Sequence, residues 1–218
     1  MTVGAKNIEP RFDGKKITND VFWNTAEGMP LYSQGGGIFR YPDPDTGRLR
    51  YYWYGVRYAE AVRYREDPSV TYPACTFEAV TCYSSDDLIN WYYEGDVLTR
   101  EEVDRYGRAG WVGRMGVAYL EAWNQYVLVV QHDNGVLFAL SHTPNGRFTW
   151  HRRITMEKII GTPNTGDQTV FVDEDTRKPY LIYSYGRGRN RIYVSEIGIR
   201  DGQGDLLCLL YTSDAADE

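Results

Sequence analysis

Residues 82–91 read CYSSDDLINW, and residues 139–150 read ALSHTPNGRFTW. Both segments have the same order of parts: a strand that ends in Ser, a turn rich in Asp, Asn or Gly, and a closing Trp. Short apolar or alternating runs that are bounded by turn residues predict antiparallel β-strands. Because the same unit returns along the chain, the two segments favour a fold that is built by repetition.

The pattern of strand, turn and strand extends outward from these two segments. Residues 36–41 predict a strand, the Pro- and Asp-rich residues 42–47 a turn, and residues 50–55 the returning strand. A later round begins at residues 169–172 and turns at residues 173–176. A unit of four strands over about 40–50 residues is typical of a β-propeller blade. We therefore predict an all-β propeller, with a β-sandwich as the alternative.

One helix start interrupts the strands. Thr99, Arg100, Glu101 and Glu102 form the pattern of a capping box, in which a Thr side chain and a Glu three residues later satisfy free backbone N–H groups. We expect a short helix in a loop at this position.

The composition supports this fold class and excludes several kinds of partner. The 218 residues include 22 Gly, 19 Tyr and 6 Trp, which favour strands and tight turns. A net charge of −6 argues against nucleic acid or an anionic membrane as the partner. Apolar runs such as Tyr126–Val130 are too short to cross a bilayer.

Cysteine usage and the N-terminus give weaker information. Three Cys exclude a small disulfide-framework protein. Cys75 and Cys82 either pair across a hairpin or are two buried thiols. No apolar stretch follows Lys6, so no signal peptide is predicted.

Four segments carry a resemblance to a known family. They read WNTAEGMPL at 23–31 with QGGGI at 34–38, YYWYG at 51–55, AVTCYSSDDLINW at 79–91 and GDQTVFVDED at 166–175. In this order and spacing, they resemble glycoside hydrolase family 43, closest to the branch with exo-acting 1,3-galactanases. The resemblance covers roughly residues 20 to 200.

The resemblance implies a five-bladed β-propeller that hydrolyses O-glycosidic bonds. The implied substrates are plant-type polysaccharides or oligosaccharides, such as galactan, arabinan or xylan side chains, including uronate-containing ones. The implied partner is thus a carbohydrate, with neither nucleic acid nor membrane. No cofactor is implied, although a structural Ca²⁺ ion is left open. The family also implies a periplasmic or secreted location.

The number of blades suggests that the propeller is incomplete. The strand pattern accounts for about three to four blades, whereas the resembling family closes its ring with five. We expect a lead-in at residues 1–19, a partial propeller at residues 20–207, and a tail at residues 208–218. This tail does not continue the strand pattern. It resembles a translated transposon adapter from a sequencing library, and we expect that it is not native.

The carboxylates that the resemblance leads us to expect are absent. An inverting glycosidase needs one carboxyl group that protonates the leaving oxygen and another that activates water. The resembling branch places Glu at positions that are here Val56, Gly113 and Gly186. The first hypothesis is therefore a hydrolase with a rearranged acid/base pair. The others are a propeller that binds glycans without cleaving them and an interaction propeller with no sugar ligand.

Two other acids are the candidate catalytic residues. Asp167 precedes a predicted inner strand, at a position that faces the pocket in the resembling family. Asp133 matches a family position where the second strand of a blade ends. Either residue is otherwise a turn Asp that binds backbone N–H groups. Glu60 and His132 are further candidates, with a solvated loop acid and a structural His as their ordinary interpretations.

Candidate substrate-binding residues lie near the same segments. Polar and backbone contacts to sugar hydroxyls are expected from Gln34, Gly35, Gly36 and Gln168, and stacking is expected from Trp23. The glycines equally fit tight packing of inner strands. Arg114 and Arg187 belong to two Arg-rich stretches, which either are solvated loops or bind the carboxylate of a uronic acid.

Overall fold

A computed structural model describes residues 16–107, 110–133, 135–161, 165–185 and 191–214, with the backbone alone from 208 to 214. The described residues form three four-stranded antiparallel sheets, in each of which the strands follow one another in chain order. This meander is the predicted propeller blade, so the all-β propeller prediction is confirmed for these three blades. None of the helices in the described ranges has the length and apolar character that a membrane crossing requires.

The first blade and its connections extend from residue 34 to residue 104. Its strands are β1 (Gln34–Pro42), β2 (Leu49–Tyr58), β3 (Phe77–Ser85) and β4 (Tyr92–Thr99). Helix α1 (Ala61–Glu66) lies in the long β2–β3 connection, and helix α2 (Arg100–Asp104) follows β4. The Thr99 side chain accepts a hydrogen bond from the Glu102 backbone N–H, as the capping box predicts. The Glu102 carboxylate instead accepts a hydrogen bond from the Trp150 backbone N–H, which ties the helix to the next blade.

The second and third blades repeat this arrangement. Strands β5 (Val112–Leu120), β6 (Gln125–His132), β7 (Gly135–Ser141) and β8 (Thr149–Ile154) form the second blade. Helix α3 (Glu157–Ile160) leads to the third blade. The third blade consists of β9 (Gln168–Val172), β10 (Pro179–Tyr185), β11 (Arg191–Arg200) and β12 (Gln203–Asp214).

The C-terminal segment differs from the sequence-based prediction. The strand pattern was expected to stop at residue 207, but β12 pairs with β11 as far as Asp214. Aromatic and β-branched residues such as Tyr211 and Thr212 have a good strand propensity, and the edge of β11 offers unpaired backbone groups. The pairing does not bear on the origin of residues 208–218, which remains a prediction.

The first strands of the blades lie side by side in the centre. Strand β5 packs against β1 on one side and β9 on the other. Where the three strands meet, a Cβ atom on Gly116 would lie 2.5 Å from Val170 and 2.9 Å from Phe39. Only glycine allows an approach this close, so this glycine fixes the spacing of the inner strands.

Tyr side chains join the first blade to the second. The hydroxyl groups of Tyr41, Tyr54 and Tyr58 donate to the backbone carbonyls of Val117, Pro144 and Val112, each at 2.6 Å. Because each ring is apolar and each hydroxyl is satisfied, Tyr fills a blade interface without leaving a polar group unpaired. This use explains part of the high Tyr content.

Candidate functional site

A cavity of about 860 Å³ lies at the end of the propeller where the inner strands β1, β5 and β9 begin. Because the blades are antiparallel, β2 and β6 end and β3 begins at this same edge. The polar residues that line the cavity include Gln34, Arg114, Gln131, Asp133 and Asp167. The structure therefore brings together four of the predicted site residues from three blades. Gln131 is an addition that the sequence did not single out.

Asp167 and Arg114 form an ion pair across the boundary between the second and third blades. The Arg114 Nε atom lies 3.3 Å from the Asp167 Oδ1 atom, and 43% and 47% of the two side chains are exposed. The Asp167 backbone carbonyl accepts a hydrogen bond from the Ser184 backbone N–H at 2.9 Å, which anchors the segment beside β10. An exposed pair contributes little to stability, so its main effect is to place two opposite charges at the cavity wall.

Asp133 fastens the segment that leads into β5. Its backbone N–H donates to the Trp111 carbonyl at 2.9 Å, and its Oδ1 atom accepts from the Trp111 backbone N–H at 2.7 Å. The Trp111 ring lies over Gly113, where a Cβ atom would be 2.1 Å from the ring. The ring is 43% exposed. Asp133 thus presents a carboxylate to the cavity and also positions an aromatic ring on its wall.

The glycines after Gln34 have two different functions. Gly36 packs so tightly on β2 that a Cβ atom would lie 1.6 Å from the Tyr54 carbonyl oxygen. Gly35 has a φ of +70°, and a Cβ atom there would lie 3.3 Å from Arg114 Nη1. The structure therefore supports the packing interpretation for Gly36, and it places Gly35 against the guanidinium group of the site.

Gln131 and Gln168 hold neighbouring backbone segments of the site in place. Gln168, predicted to contact substrate, is buried and does not line the cavity. Its Oε1 atom accepts from the Thr165 hydroxyl at 3.0 Å, and its Nε2 atom donates to the Arg114 carbonyl at 3.3 Å. Gln131 donates from Nε2 to the carbonyls of Thr165 and Gly166, at 3.1 and 2.7 Å. Both side chains therefore hold the residues that precede β9.

Gln131 has a second, unused polar atom. Its side chain is 94% buried, since its exposed fraction is 6%. Its two carbonyl partners require the NH₂ group, which fixes the orientation of the amide. The Oε1 atom then has no hydrogen-bond partner in the described parts of the chain. No alternation along β6 could have revealed this residue, because nearly every position of that strand is buried.

A second cavity of about 740 Å³ adjoins the first. Its wall is mainly aromatic and apolar, and it includes Phe22, Trp23, Trp53 and Tyr64. The predicted stacking residue Trp23 is therefore in this second cavity and away from Asp167. Four residues line both cavities, namely Gln34, Tyr58, Tyr72 and Cys75. We refer to the two adjoining cavities together as the cleft, with a polar half and an apolar half.

Several other positions discussed in the sequence analysis line the cleft or make local contacts in the structure. Val56 is buried and lines the apolar half, and Gly113 lines the polar half beneath Trp111. Glu60 accepts a hydrogen bond from the Thr76 N–H at 2.9 Å. His132 is buried with its ring edge-on to Trp150. Gly186 and Arg187 lie outside the described residues.

The thiols differ from the expectation of two buried Cys residues. Cys82 is buried, but Cys75 is exposed at the junction of the two halves, and both are free thiols. Cys75 belongs to the long β2–β3 connection, which has few apolar residues to cover it. In the described ranges, no group of three or more His, Cys, Asp or Glu residues is arranged to hold a metal ion.

Comparisons with known proteins identify the fold. No protein-family model matches the sequence, and no curated protein matches it. An exo-β-1,3-galactanase from Clostridium thermocellum is 26% identical, with a TM-score of 0.68 over 91% of this chain and 41% of that one. An exo-β-1,3-galactanase from Phanerochaete chrysosporium, solved with galactose, is 20% identical, with a TM-score of 0.68 over 92% and 43%.

A third similar structure belongs to a β-1,3-galactosidase of glycoside hydrolase family 43, solved with galactodeoxynojirimycin. It is 21% identical, with a TM-score of 0.63 over 87% of this chain and 65% of that one. The chain thus spans about two fifths of the length of the galactanases and two thirds of the galactosidase. Together these similarities show that the chain has a fold like that of the family 43 enzymes.

Proposed function

We propose that this protein is a glycoside hydrolase that removes galactosyl units from polysaccharides or oligosaccharides. One observation carries the proposal: Asp133 and Asp167 line the same cavity, at the end of the inner strands, together with Arg114 and Trp111. The similar structures include enzymes whose names describe action on β-1,3-linked galactose. They support galactose as the sugar and β-1,3 as the linkage to test first.

The polar half has the parts that recognition of a sugar requires. The exposed Trp111 ring is suited to the apolar C–H face of a pyranose. Gln34 and Arg114 offer hydrogen-bonding groups for hydroxyls, and the Gln131 Oε1 atom has capacity for one more donor. Aromatic side chains together with a few converging polar groups are the usual composition of a small-ligand site.

Asp133 and Asp167 are the proposed acid/base pair. In an inverting reaction one carboxyl group protonates the leaving oxygen, while the other takes a proton from the attacking water. Leaving-group dependence assigns the two roles. Loss of the acid spares a nitrophenyl galactoside, whose leaving group needs little protonation, but slows galactobiose hydrolysis. Loss of the base slows both substrates.

The test compares single Asp→Asn variants of the full chain. Galactose release from β-1,3-galactotriose should fall at least about 100-fold for Asp167→Asn and for Asp133→Asn. Asp173→Asn is the matched control, because the Asp173 carboxylate accepts hydrogen bonds from Thr176 within the β9–β10 turn and does not line the cavity. Full activity in both cavity variants would refute the assignment.

A glycan-binding protein without hydrolase activity is the second candidate. It is favoured by Val56 and Gly113, which replace carboxylates of the resembling family. The Asp133 carboxylate is also occupied by the Trp111 N–H and packs against Gly110, where a Cβ atom would lie 1.9 Å from Oδ2. Calorimetric binding of galactotriose without any release of galactose would select this candidate.

The uronate hypothesis for Arg114 has a specific competitor. Asp167 already provides a carboxylate to Arg114, and a ligand carboxylate would bring a second negative charge beside it. We therefore propose a neutral galactosyl unit in this half. Tighter binding of galacturonic acid than of galactose would support the uronate ligand instead.

A further inference from the structure

The apolar half of the cleft has aromatic side chains in edge-to-face pairs. Trp23 and Trp53 are 5.8 Å apart between ring centroids at 78°, and Phe22 and Tyr64 are 6.0 Å apart at 85°. Phe22 and Tyr64 remain 38% and 45% exposed, although they are large and apolar. The Arg65 guanidinium lies over one face of Phe22, with its Cζ atom 5.3 Å from the ring centroid. The exposed remainder of these rings is available to a further group beside the polar half.

Several polar atoms of this half are already bonded within the protein, although the buried Ser33 Oγ atom has no hydrogen-bond partner among the described residues. The Trp23 Nε1 atom donates to the Thr18 carbonyl at 3.0 Å, and the Arg65 Nη1 atom donates to the Trp23 carbonyl at 2.9 Å. The Glu60 carboxylate accepts from the Thr76 N–H. Fewer partners therefore remain for the several hydroxyls of a second sugar unit, and each hydroxyl that loses water without a partner is costly.

The position of this half indicates that its occupant is attached to the ligand of the polar half. Gln34, Tyr58, Tyr72 and Cys75 line both halves, so the two halves meet at these four residues. A group linked through a glycosidic oxygen to a sugar near Asp167 would therefore extend toward the aromatic pairs. Aromatic rings make edge-to-face contacts with such pairs, which saturated groups do not.

We propose that the apolar half binds an aryl group attached to the sugar, so that the preferred ligands are phenolic galactosides or galactosyl units with an aromatic substituent. This inference rests on the proposed function for the placement of the sugar. The aryl ring packs beside Phe22, Trp23, Trp53 and Tyr64, and the sugar occupies the polar half.

The test measures dissociation constants of three galactosides by calorimetry with the full chain. Phenyl β-galactoside should bind at least about tenfold more tightly than methyl β-galactoside, because the ring buries apolar surface. Cyclohexyl β-galactoside has a similar size and should bind more weakly than the phenyl compound. Equal binding of the phenyl and cyclohexyl compounds would overturn the aryl assignment.

Variants of exposed residues locate the effect. Phe22→Ala and Tyr64→Ala should each reduce the phenyl-to-methyl preference about threefold, because each loses one ring contact. Phe171→Ala is the matched control, since Phe171 is 49% exposed and does not line the cleft. Arg114→Ala should weaken the phenyl and methyl compounds by the same factor and leave their ratio unchanged.

Two outcomes separate this inference from the proposed function. Equal binding of the methyl and phenyl compounds refutes the aryl site and leaves the galactoside site intact. If neither compound binds, the proposed function fails, and phenol alone then tests the apolar half. Phenol binding that Phe22→Ala weakens supports the aryl site, whereas no phenol binding overturns it. A dimer that Phe22→Ala dissociates would identify a self-association surface and also overturn it.

Discussion

The two halves of the cleft are built in different ways. The polar half is assembled between blades: Arg114 of the second blade pairs with Asp167 at the third, and Gln34 comes from the first. The apolar half lies entirely in the first blade, its lead-in from Val21 and the β2–β3 connection. The geometry of the polar half therefore depends on how the three blades pack together. The geometry of the apolar half depends mainly on the lead-in and the β2–β3 connection. Under the proposed function, the reaction is assigned to the polar half and the choice of substituent to the apolar half.

The largest effect is expected at the strand that both halves share. Gly36→Ala forces a Cβ atom to within 1.6 Å of the Tyr54 carbonyl, so β1 must separate from β2. We expect a loss of several kcal/mol in the free energy of unfolding, roughly the range of severe core defects. Denaturant titration measures this loss, and ligand binding should fail in both halves.

Gly47→Ala is the control for this prediction. Unlike Gly36, Gly47 has a positive φ, of +70°, but a Cβ atom there meets nothing within 4 Å. Its cost should be limited to about 1 kcal/mol of backbone strain. A Gly36→Ala protein as stable as Gly47→Ala would contradict the tight packing that joins the two halves.

A smaller effect should be confined to the polar half. Asp133→Ala removes the acceptor that holds the Trp111 N–H, whereas Asp133→Asn retains an oxygen in the same place. We expect galactoside affinity to fall about tenfold in the Ala variant, because the Trp111 ring loses its position. Affinity should be nearly unchanged in the Asn variant. Calorimetry measures both, and equal losses would show that charge matters more than the fastened loop.

The first blade should lose stability without any change in the polar half when its turn is altered. Asp87 accepts hydrogen bonds from the backbone N–H groups of Ile89 and Asn90, at 2.9 and 2.7 Å. Asp87→Ala should cost about 1 kcal/mol of unfolding free energy, a modest value because the carboxylate is exposed. Asp87→Asn, which keeps an acceptor, should cost less, and galactoside affinity should not change. A change in affinity would show that the blades are coupled.

The same carboxylate makes stability depend on pH. Burial raises the pKa of Asp87, but the hydrogen bonds from Asn90 and Ile89 outweigh it and lower the pKa to about 2. Because the folded pKa is below the unfolded one, the contribution is complete above pH ~4 and is lost as pH falls toward ~2. Asp87→Ala should therefore show a flatter loss of stability over this window than the unaltered chain.

The smallest expected effect is on the alkylation rate of Cys75, which lies at the junction of the two halves. Burial, and then the negative charge of Glu60, raise the pKa of the Cys75 thiol. The rate of Cys75 alkylation should therefore rise at a higher pH than for a thiol with an unshifted pKa. Glu60→Gln should lower the pH at which this rise occurs. Phenyl β-galactoside should slow the reaction about threefold by covering the thiol. Cys75→Ser identifies the Cys75 signal, and unchanged rates with saturating ligand would place the ligand outside the junction.

Features that depend on neighbouring residues in the chain could be predicted from the sequence. Asp43 and Asp173 each accept hydrogen bonds from the Thr three residues later, so both turns have the local chemistry that their residues predict. Features that depend on contacts between distant residues could not be predicted. Gln168 follows Asp167 directly, but alternation along β9 directs its side chain away from the cavity. Gln131 could not be found because its partners, Thr165 and Gly166, lie in another blade.

The most direct test of the two-part cleft is a crystal structure of the full chain with phenyl β-galactoside. We expect the galactosyl ring to lie against Trp111, with hydroxyls within hydrogen-bond distance of Arg114 and Asp167, and the phenyl ring to lie between Trp23 and Phe22. A sugar bound outside this cavity, or a phenyl ring directed away from the apolar half, would contradict it.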